Sequence, residues 1–302
     1  MTVRTMADIR RDHDLDRRTF MVAATAGAAM AMAAVAAPAN AASAATAKFD
    51  LSRPEDARQV YRRLKYRSDE GILFWWIDGE YLADEQARLT PLYGMKFGSI
   101  QHYTPNADGG FTMRQLELGF RTDLNTGKLL GTFRNPLTNE IIDSPVTPLG
   151  PNRVRYSPDG VPSVPREIGG SLMDFTPHVQ KPYVARDTVF LPYRASTTVH
   201  TPGFSDRIIN DISLIYGPAA QVLDPGAKWV DAWVHGSDIT TWPRWMKMGD
   251  RPGTLTLRGI GAKVRTIDEM PEEWLDLMQQ FAPSILKDPL AALSRPQFQY
   301  KG

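Results

Sequence analysis

From Gly71 onward the chain is written as long β-favouring runs separated by short turn signals, and this narrows the fold more than any other feature. Ile72-Leu73-Phe74-Trp75-Trp76-Ile77 is rich in branched and aromatic residues, and Asp78-Gly79 behind it reads as a turn. Residues 94–104 and 110–122 read as two long strands joined across 105–110. In the second, Leu116, Leu118 and Phe120 share one face while Gln115, Glu117 and Arg121 share the other. Asn125-Thr126-Gly127 predicts a hairpin loop with Leu129 to Phe133 returning, and a similar unit follows at 136–142. Further strands are expected near 168–175, 183–190, 193–200, 207–217 and 255–264. Strands and helices do not alternate, which argues against a doubly wound sheet. About eight to ten antiparallel strands with a few flanking helices predict a mainly β fold, an antiparallel meander closing into a calycin-like barrel. A barrel of that size holds one small ligand inside.

The flanks are less regular. Ser52-Arg53-Pro54-Glu55 has the form of a capping box with proline in the first turn. Val60, Tyr61 and Leu64 then fall on one helical face, with Arg58, Arg62 and Arg63 expected in water. Six prolines between 144 and 165 predict a long irregular excursion. Residues 240–253 are expected to form an ordered loop. Pro271 opens an amphipathic helix that buries Trp274, Leu275, Leu277, Met278 and Phe281. The tail reads as proline-rich and irregular.

The N-terminus reads as an address. Arg10, Arg11, Arg17 and Arg18 precede Met21 to Ala37, an uncharged, alanine-rich run. Pro38 ends the run, and Ala39-Asn40-Ala41 fits a small-x-small cleavage pattern. Arg17-Arg18-Thr19-Phe20-Met21 resembles the twin-arginine export signal, which a receptor reads. The expected organisation is a signal peptide over 1–41 and a single β-barrel-like domain over 42–302, ending in a helix and an irregular tail. The expected location is the periplasm, with the export machinery as a transient partner and no stable membrane anchor.

Composition removes several function classes. The chain has 35 basic and 34 acidic residues, and the segment after residue 41 is balanced, so nothing draws it to nucleic acid. Cysteine is absent, which excludes iron–sulfur clusters, thiolate metal sites and cysteine nucleophiles. No phosphate loop, dinucleotide fingerprint or G-x-S-x-G elbow occurs; Gly259-Ile260-Gly261 lacks its third glycine. His102, His178, His200 and His235 stand at no metal-helix spacing. The expected cofactor set is therefore none, leaving acid–base chemistry or plain binding.

The candidate residues follow from strand alternation. Gln101-His102-Tyr103 sends His102 and Tyr103 to opposite faces, so only one of them meets a lumen. An interior carrying Gln115, Glu117 and Arg121 would be a polar-lined pocket, with arginine for an anionic oxygen and a carboxylate for a proton. The other reading is that this face is solvated. Tyr193 shares a strand face with Thr197 and Val199. Trp229, Asp231, Trp233 and His235 recur at period two, an aromatic–acid–aromatic–imidazole stripe in which Asp231 would orient His235 as a base. Trp75 and Trp76 point apart, one to a core and one to a ligand.

The strings GILFWWIDGEY at 71–81, F-x-x-x-x-LELGFRTD at 111–123 and WPRWMKMGDRPG at 242–253 resemble the DUF1838 family of bacterial proteins, over nearly all of the chain after residue 41. The resemblance carries no catalytic residues with it. It implies export and an association with breakdown of lignin-derived aromatic compounds, in particular lyases that release formaldehyde from a phenylcoumaran side chain. That chemistry needs a base, a group that stabilises a phenoxide, and aromatic walls. The candidate catalytic residues are His102 or His235 as base and Arg121 or Tyr193 at the phenoxide; the candidate substrate-binding residues are Trp76, Tyr103, Glu117 and Trp233. Two other readings stay open at this point, a non-catalytic carrier of small aromatic ligands and a His/Asp metal enzyme. The partner in the first reading is a small aromatic substrate, and a homo-oligomer stays open.

Overall fold

The computed structural model describes residues 48–295 apart from 68, 145, 159, 161–165, 169 and 170. The export signal and cleavage pattern expected over 1–41 lie outside the described residues. The strands are β1 (Gly71–Glu85), β2 (Arg88–Pro105), β3 (Phe111–Thr122), β4 (Thr132–Arg134), β5 (Ile141–Asp143), β6 (Thr147–Tyr156) and β7 (Arg166–Ile168). They continue with β8 (Ser171–Val179), β9 (Tyr183–Ala185), β10 (Thr188–His200), β11 (Arg207–Pro218), β12 (Ala232–Thr240) and β13 (Thr254–Val264). Helix α1 (Pro54–Lys65) precedes them, α2 (Ala219–Val222) follows β11, and α3 (Glu272–Phe281), α4 (Pro283–Lys287) and α5 (Pro289–Leu293) close the described chain.

Eleven of these strands form one sheet in the order β6-β3-β2-β1-β13-β12-β11-β10-β8-β7, with β9 beside the start of β10. Its ladders are antiparallel, and β4 and β5 make a separate hairpin. The fold is thus mainly β and antiparallel, as expected, but among the described residues the sheet does not close into a barrel. Strands β6 and β7 are its two ends, with Cα atoms within 8 Å of each other yet no ladder between them. Pro148 and Pro151 remove two donors from β6, and β7 is three residues long, so neither end presents a full row of partners.

The sheet curls so that residues of period two from β6 through β13 and round to β8 face one enclosed space. Glycines make part of this curl. Gly236, Gly259 and Gly79 are direct neighbours across β12, β13 and β1. A Cβ on Gly259 would stand 2.7 Å from Ile77 Cγ2, and one on Gly236 would stand 2.6 Å from Ser213 Oγ. This is why Asp78-Gly79 is not a turn. Strand β1 runs straight through it, and the chain reverses at Gln86-Ala87 instead, both with positive φ.

Three apolar clusters frame the space. At one end Val60, Tyr61 and Leu64 of α1 pack with Tyr66, Tyr103, Phe111, Tyr156 and Tyr193. At the other, Tyr93, Phe133, Ile142, Met246, Met248 and Leu255 pack together. On the outer face of β1–β3, Phe74, Ile100, Leu116, Leu118 and Phe120 are covered by Trp274 and Met278 of α3 and by Ile285 and Leu293. Trp274 lies directly on Gly98, where any Cβ would overlap its ring. In α3, Trp274 and Met278 are buried as the periodicity predicts, but Phe281 is exposed.

Several local expectations are corrected. The N-cap of α1 is Arg53 with no side-chain cap, because Arg53 pairs with Glu55 while Asp50 takes the Ser52 N–H at 2.8 Å. Arg63 is buried, donating to the Ala227 carbonyl and lying 5.4 Å from the Phe49 ring centre. The proline-rich 144–165 stretch contains β6, since an edge strand tolerates missing donors. The tail holds two short helices, each started by proline.

Candidate functional site

The concave face holds a partly open cavity of about 450 Å³, within the range of pockets that bury a small organic ligand. Its composition is divided. Towards α1 the wall is Tyr66, Trp75, Met113, Tyr156, Phe175 and Tyr193. Lys65, at the end of α1, joins this aromatic end, and the rest of the lining carries Glu117, Arg207, Asp211 and Asp238, with Ser99, Gln101, Gln115, Thr197 and Ser213 between them. Strand alternation is the reason for this layout. Arg207, Ile209, Asp211, Ser213 and Ile215 of β11 all turn inward, as do Val234, Gly236 and Asp238 of β12.

Asp211 and Asp238 are direct partners in the β11–β12 ladder. Directly opposed side chains in an antiparallel pair have Cβ atoms roughly 5 Å apart, so two carboxyls share one patch of the wall. Burial pushes the Asp238 carboxyl up to about 7, with the charges of Asp211 and Glu117 adding to the effect and Arg207 and Lys65 opposing it. Asp211 accepts the Ser213 hydroxyl, and Glu117 accepts the Gln115 amide. Arg207 donates from Nε to Thr240 Oγ1 at 3.0 Å. Burial holds its guanidinium below its ordinary value, against the pull of Tyr81, Tyr93 and Asp238. Tyr81 is pushed up to about 12 by burial and by Asp238. Gln101 donates to Ser99 Oγ at 2.9 Å and accepts the Tyr103 hydroxyl. The wall is therefore a set of oriented donors and acceptors, with one carboxyl that changes charge near neutral pH.

The structure brings some of the sequence candidates together here and separates others. Glu117 and Tyr193 line the cavity, and Tyr103 stands behind its wall with its hydroxyl on Gln101. Arg121 shares the inner face but sits at the far end, its guanidinium 4.2 Å from the Trp245 ring centre and 5.9 Å from that of Tyr93. His102 and His235 take the outer face, because their neighbours Gln101 and Val234 take the inner one. Trp76 also turns outward, against the cluster under α3, and its neighbour Trp75 lines the cavity. Trp233 is on the outer face, 40 % exposed and stacked on Tyr216 at 5.9 Å. Asp231 does not orient His235; it lies ahead of β12 and accepts from Trp229 at 2.7 Å and Gln221 at 2.9 Å. The two imidazoles are thus on the outer face, and the carboxyls Asp211 and Asp238 are on the inner one.

Lys65, Arg207, Asp211 and Asp238 were missed by pattern reading. The signal was present for three of them: charged residues at even spacing inside Arg207-Ile-Ile-Asn-Asp211-Ile-Ser213 and before Ile239 share a face with apolar neighbours. Lys65 had no such signal, since its direction depends on where α1 docks. Among the described residues no group of three His, Asp or Glu side chains is arranged to hold a metal ion. His200 instead bridges Asp206 through Nδ1 and Asp174 through Nε2, both at 2.9 Å, on the exposed face.

No helix among the described residues is long and apolar enough to cross a membrane. Comparison with curated proteins and with solved structures finds no match. A family model described as "Protein of unknown function (DUF1838)" matches residues 69–298, well over half of the 302 residues, and the chain belongs to that family.

Proposed function

We propose that the protein is a cofactor-independent lyase that breaks a carbon–carbon bond in a small lignin-derived aromatic compound by acid–base catalysis. The observation that carries this reading is the Asp211–Asp238 pair inside an aromatic-walled cavity. Like charges directly opposite each other in a ladder are destabilising, and titratable groups pushed apart by such placement are the usual acids and bases of active sites. The curled sheet then serves as a calycin-like container, with the ring of the ligand against Trp75, Phe175 and Tyr193 and its hydroxylated end at the carboxyls.

For a phenylcoumaran-type dimer the step balances without an oxidant. Ionised Asp238 takes the proton of the primary alcohol as the bond to the hydroxymethyl carbon breaks, and formaldehyde leaves. The electron pair of that bond becomes a carbon–carbon double bond and expels the neighbouring aryl ether oxygen as a phenoxide. The phenoxide regains the proton, and Asp238 is restored. Arg207 favours the charged form of the dyad, and in this reading Tyr193 would donate to the leaving oxygen. Export through the twin-arginine route to the periplasm belongs to the same reading, and replacing Arg17-Arg18 by two lysines should retain the protein in the cytoplasm.

The test is formaldehyde release from a phenylcoumaran dimer by the purified protein, with Asp238→Asn and Asp211→Asn beside it. Stoichiometric formaldehyde that disappears in Asp238→Asn supports the reading. Tight binding of the dimer with no formaldehyde overturns it in favour of a carrier.

A further inference from the structure

Helix α1 ends ahead of the segment matched to the family, which begins at residue 69, yet its last residue reaches the cavity. Lys65 lines it, with Nζ 3.4 Å from the Tyr193 ring centre and 5.7 Å from that of Tyr66. An ammonium at that distance over an aromatic face is held electrostatically by the ring. The same helix end is fastened to the sheet by side chains instead of a glycine cap. Lys263 of β13, buried, donates from Nζ to the carbonyls of Arg63 at 2.6 Å and Tyr66 at 3.3 Å. Trp75 Nε1 of β1 donates to the carbonyl of Lys65 itself at 3.2 Å. Three carbonyls, at 63, 65 and 66, are thus tied to two neighbouring strands, and Trp75 and Lys263 are themselves partners in the β1–β13 ladder.

We propose that Lys65 is the cation that stabilises the phenoxide formed in the cavity, and that Lys263 and Trp75 are positioning residues that aim it there. This rests on the lyase reading for its role but not for its geometry. A helix C-terminus left to solvent frays within its last turn, and a lysine there would sweep a wide arc through its four-carbon stem. Tying the carbonyls on both sides of Lys65 removes the fraying and leaves only side-chain freedom, which the Tyr193 ring then restricts. Arg121, the other inner-face cation considered for this task, is engaged with Trp245 at the opposite end. Lys65 instead sits at the aromatic end, where a ring oxygen would lie.

The probe for this is 4-nitrophenol, whose phenolate is coloured and whose ionisation can be read while bound to the full-length protein. A cation within about 4–6 Å lowers the pKa of an acidic group by about one pH unit or more. The bound phenol should therefore ionise at a pH about one unit lower than in buffer. Lys65→Met should abolish that displacement, and Lys65→Arg should keep most of it. Lys263→Met and Trp75→Phe should weaken it while circular dichroism remains that of the parent. A displacement that survives Lys65→Met, or that survives both Lys263→Met and Trp75→Phe in folded protein, overturns the proposal. Should Lys263→Met not fold, Trp75→Phe decides alone, since it keeps an aromatic side chain and removes the indole N–H that bonds the Lys65 carbonyl. Absence of formaldehyde release with the nitrophenol displacement intact would sink the lyase reading and leave Lys65 as a cation that binds a phenolate.

Discussion

Replacing Asp238 by asparagine should stabilise the protein at alkaline pH and remove the proposed lyase activity together. The carboxyl is moved from 3.8 to about 7 chiefly by burial. At ~1.4 kcal/mol per decade this is worth at most ~4 kcal/mol. Solvent screening reduces this figure, so ~2 kcal/mol is the expected size. The sign is the reverse of the usual salt-bridged carboxylate. Between pH 3.8 and 7 the folded state holds a proton that the unfolded state has lost, so this group's contribution is fully favourable below about 4 and is lost as pH rises through 7. Urea unfolding of parent and Asp238→Asn at pH 5 and pH 8 measures it. The parent should lose stability from pH 5 to 8, the variant should lose less, and the variant should be the more stable of the two at pH 8. His200, raised by its hydrogen bonds to Asp174 and Asp206, also favours the acid side, but it is common to both proteins and drops out of the difference. A variant that is less stable than the parent at pH 8, or that keeps the parent's full pH dependence, would refute the idea that this carboxylate is held at a cost.

Other outcomes follow from the packing. Gly98→Ala must displace the Trp274 ring that lies on it and should cost ~1–3 kcal/mol in denaturant unfolding, as overpacking does. Trp274→Ala empties the centre of the cluster under α3 and should cost ~3–5 kcal/mol by the same measurement. His200→Asn should lower the melting temperature more at pH 5 than at pH 8, because both carboxylate partners favour the protonated imidazole. His102→Ala and His235→Ala, on the outer face, should leave formaldehyde release at the parent rate; loss of activity in either would contradict the carboxyl-based mechanism.

Much of the architecture was legible because two-residue alternation is local. The face of β3 that carries Gln115, Glu117 and Arg121 does turn inward, and Leu116, Leu118 and Phe120 do take an apolar cover. What alternation does not contain is the identity of the cover or the ladder partner. Asp211 and Asp238 are 27 positions apart and become one feature only through the β11–β12 register. The Trp229–His235 stripe failed for a related reason: the strand starts at Ala232, so Trp229 and Asp231 precede the pleat that would have aligned them with His235. Asp78-Gly79 misled because a glycine needed for close approach of two strands looks the same, in a sequence, as one needed for a turn. Proline at 148 and 151 misled in the same way, marking an edge strand rather than a loop.

The transverse line of Gly236, Gly259 and Gly79 has a mechanical meaning. A sheet resists bending through the side chains crowded on its concave side, and here three adjacent strands carry none at the same level. The line is a crease in the side-chain layer, and two of its three members border the cavity. In the proposed site, a broad ligand would meet bare backbone at Gly236 and Gly259 instead of side chains. Methyl groups added along that crease would meet the Arg258 carbonyl, Ile77 and Ser213 within 3 Å, so glycine at these three positions is the condition for the strands to lie as close as they do.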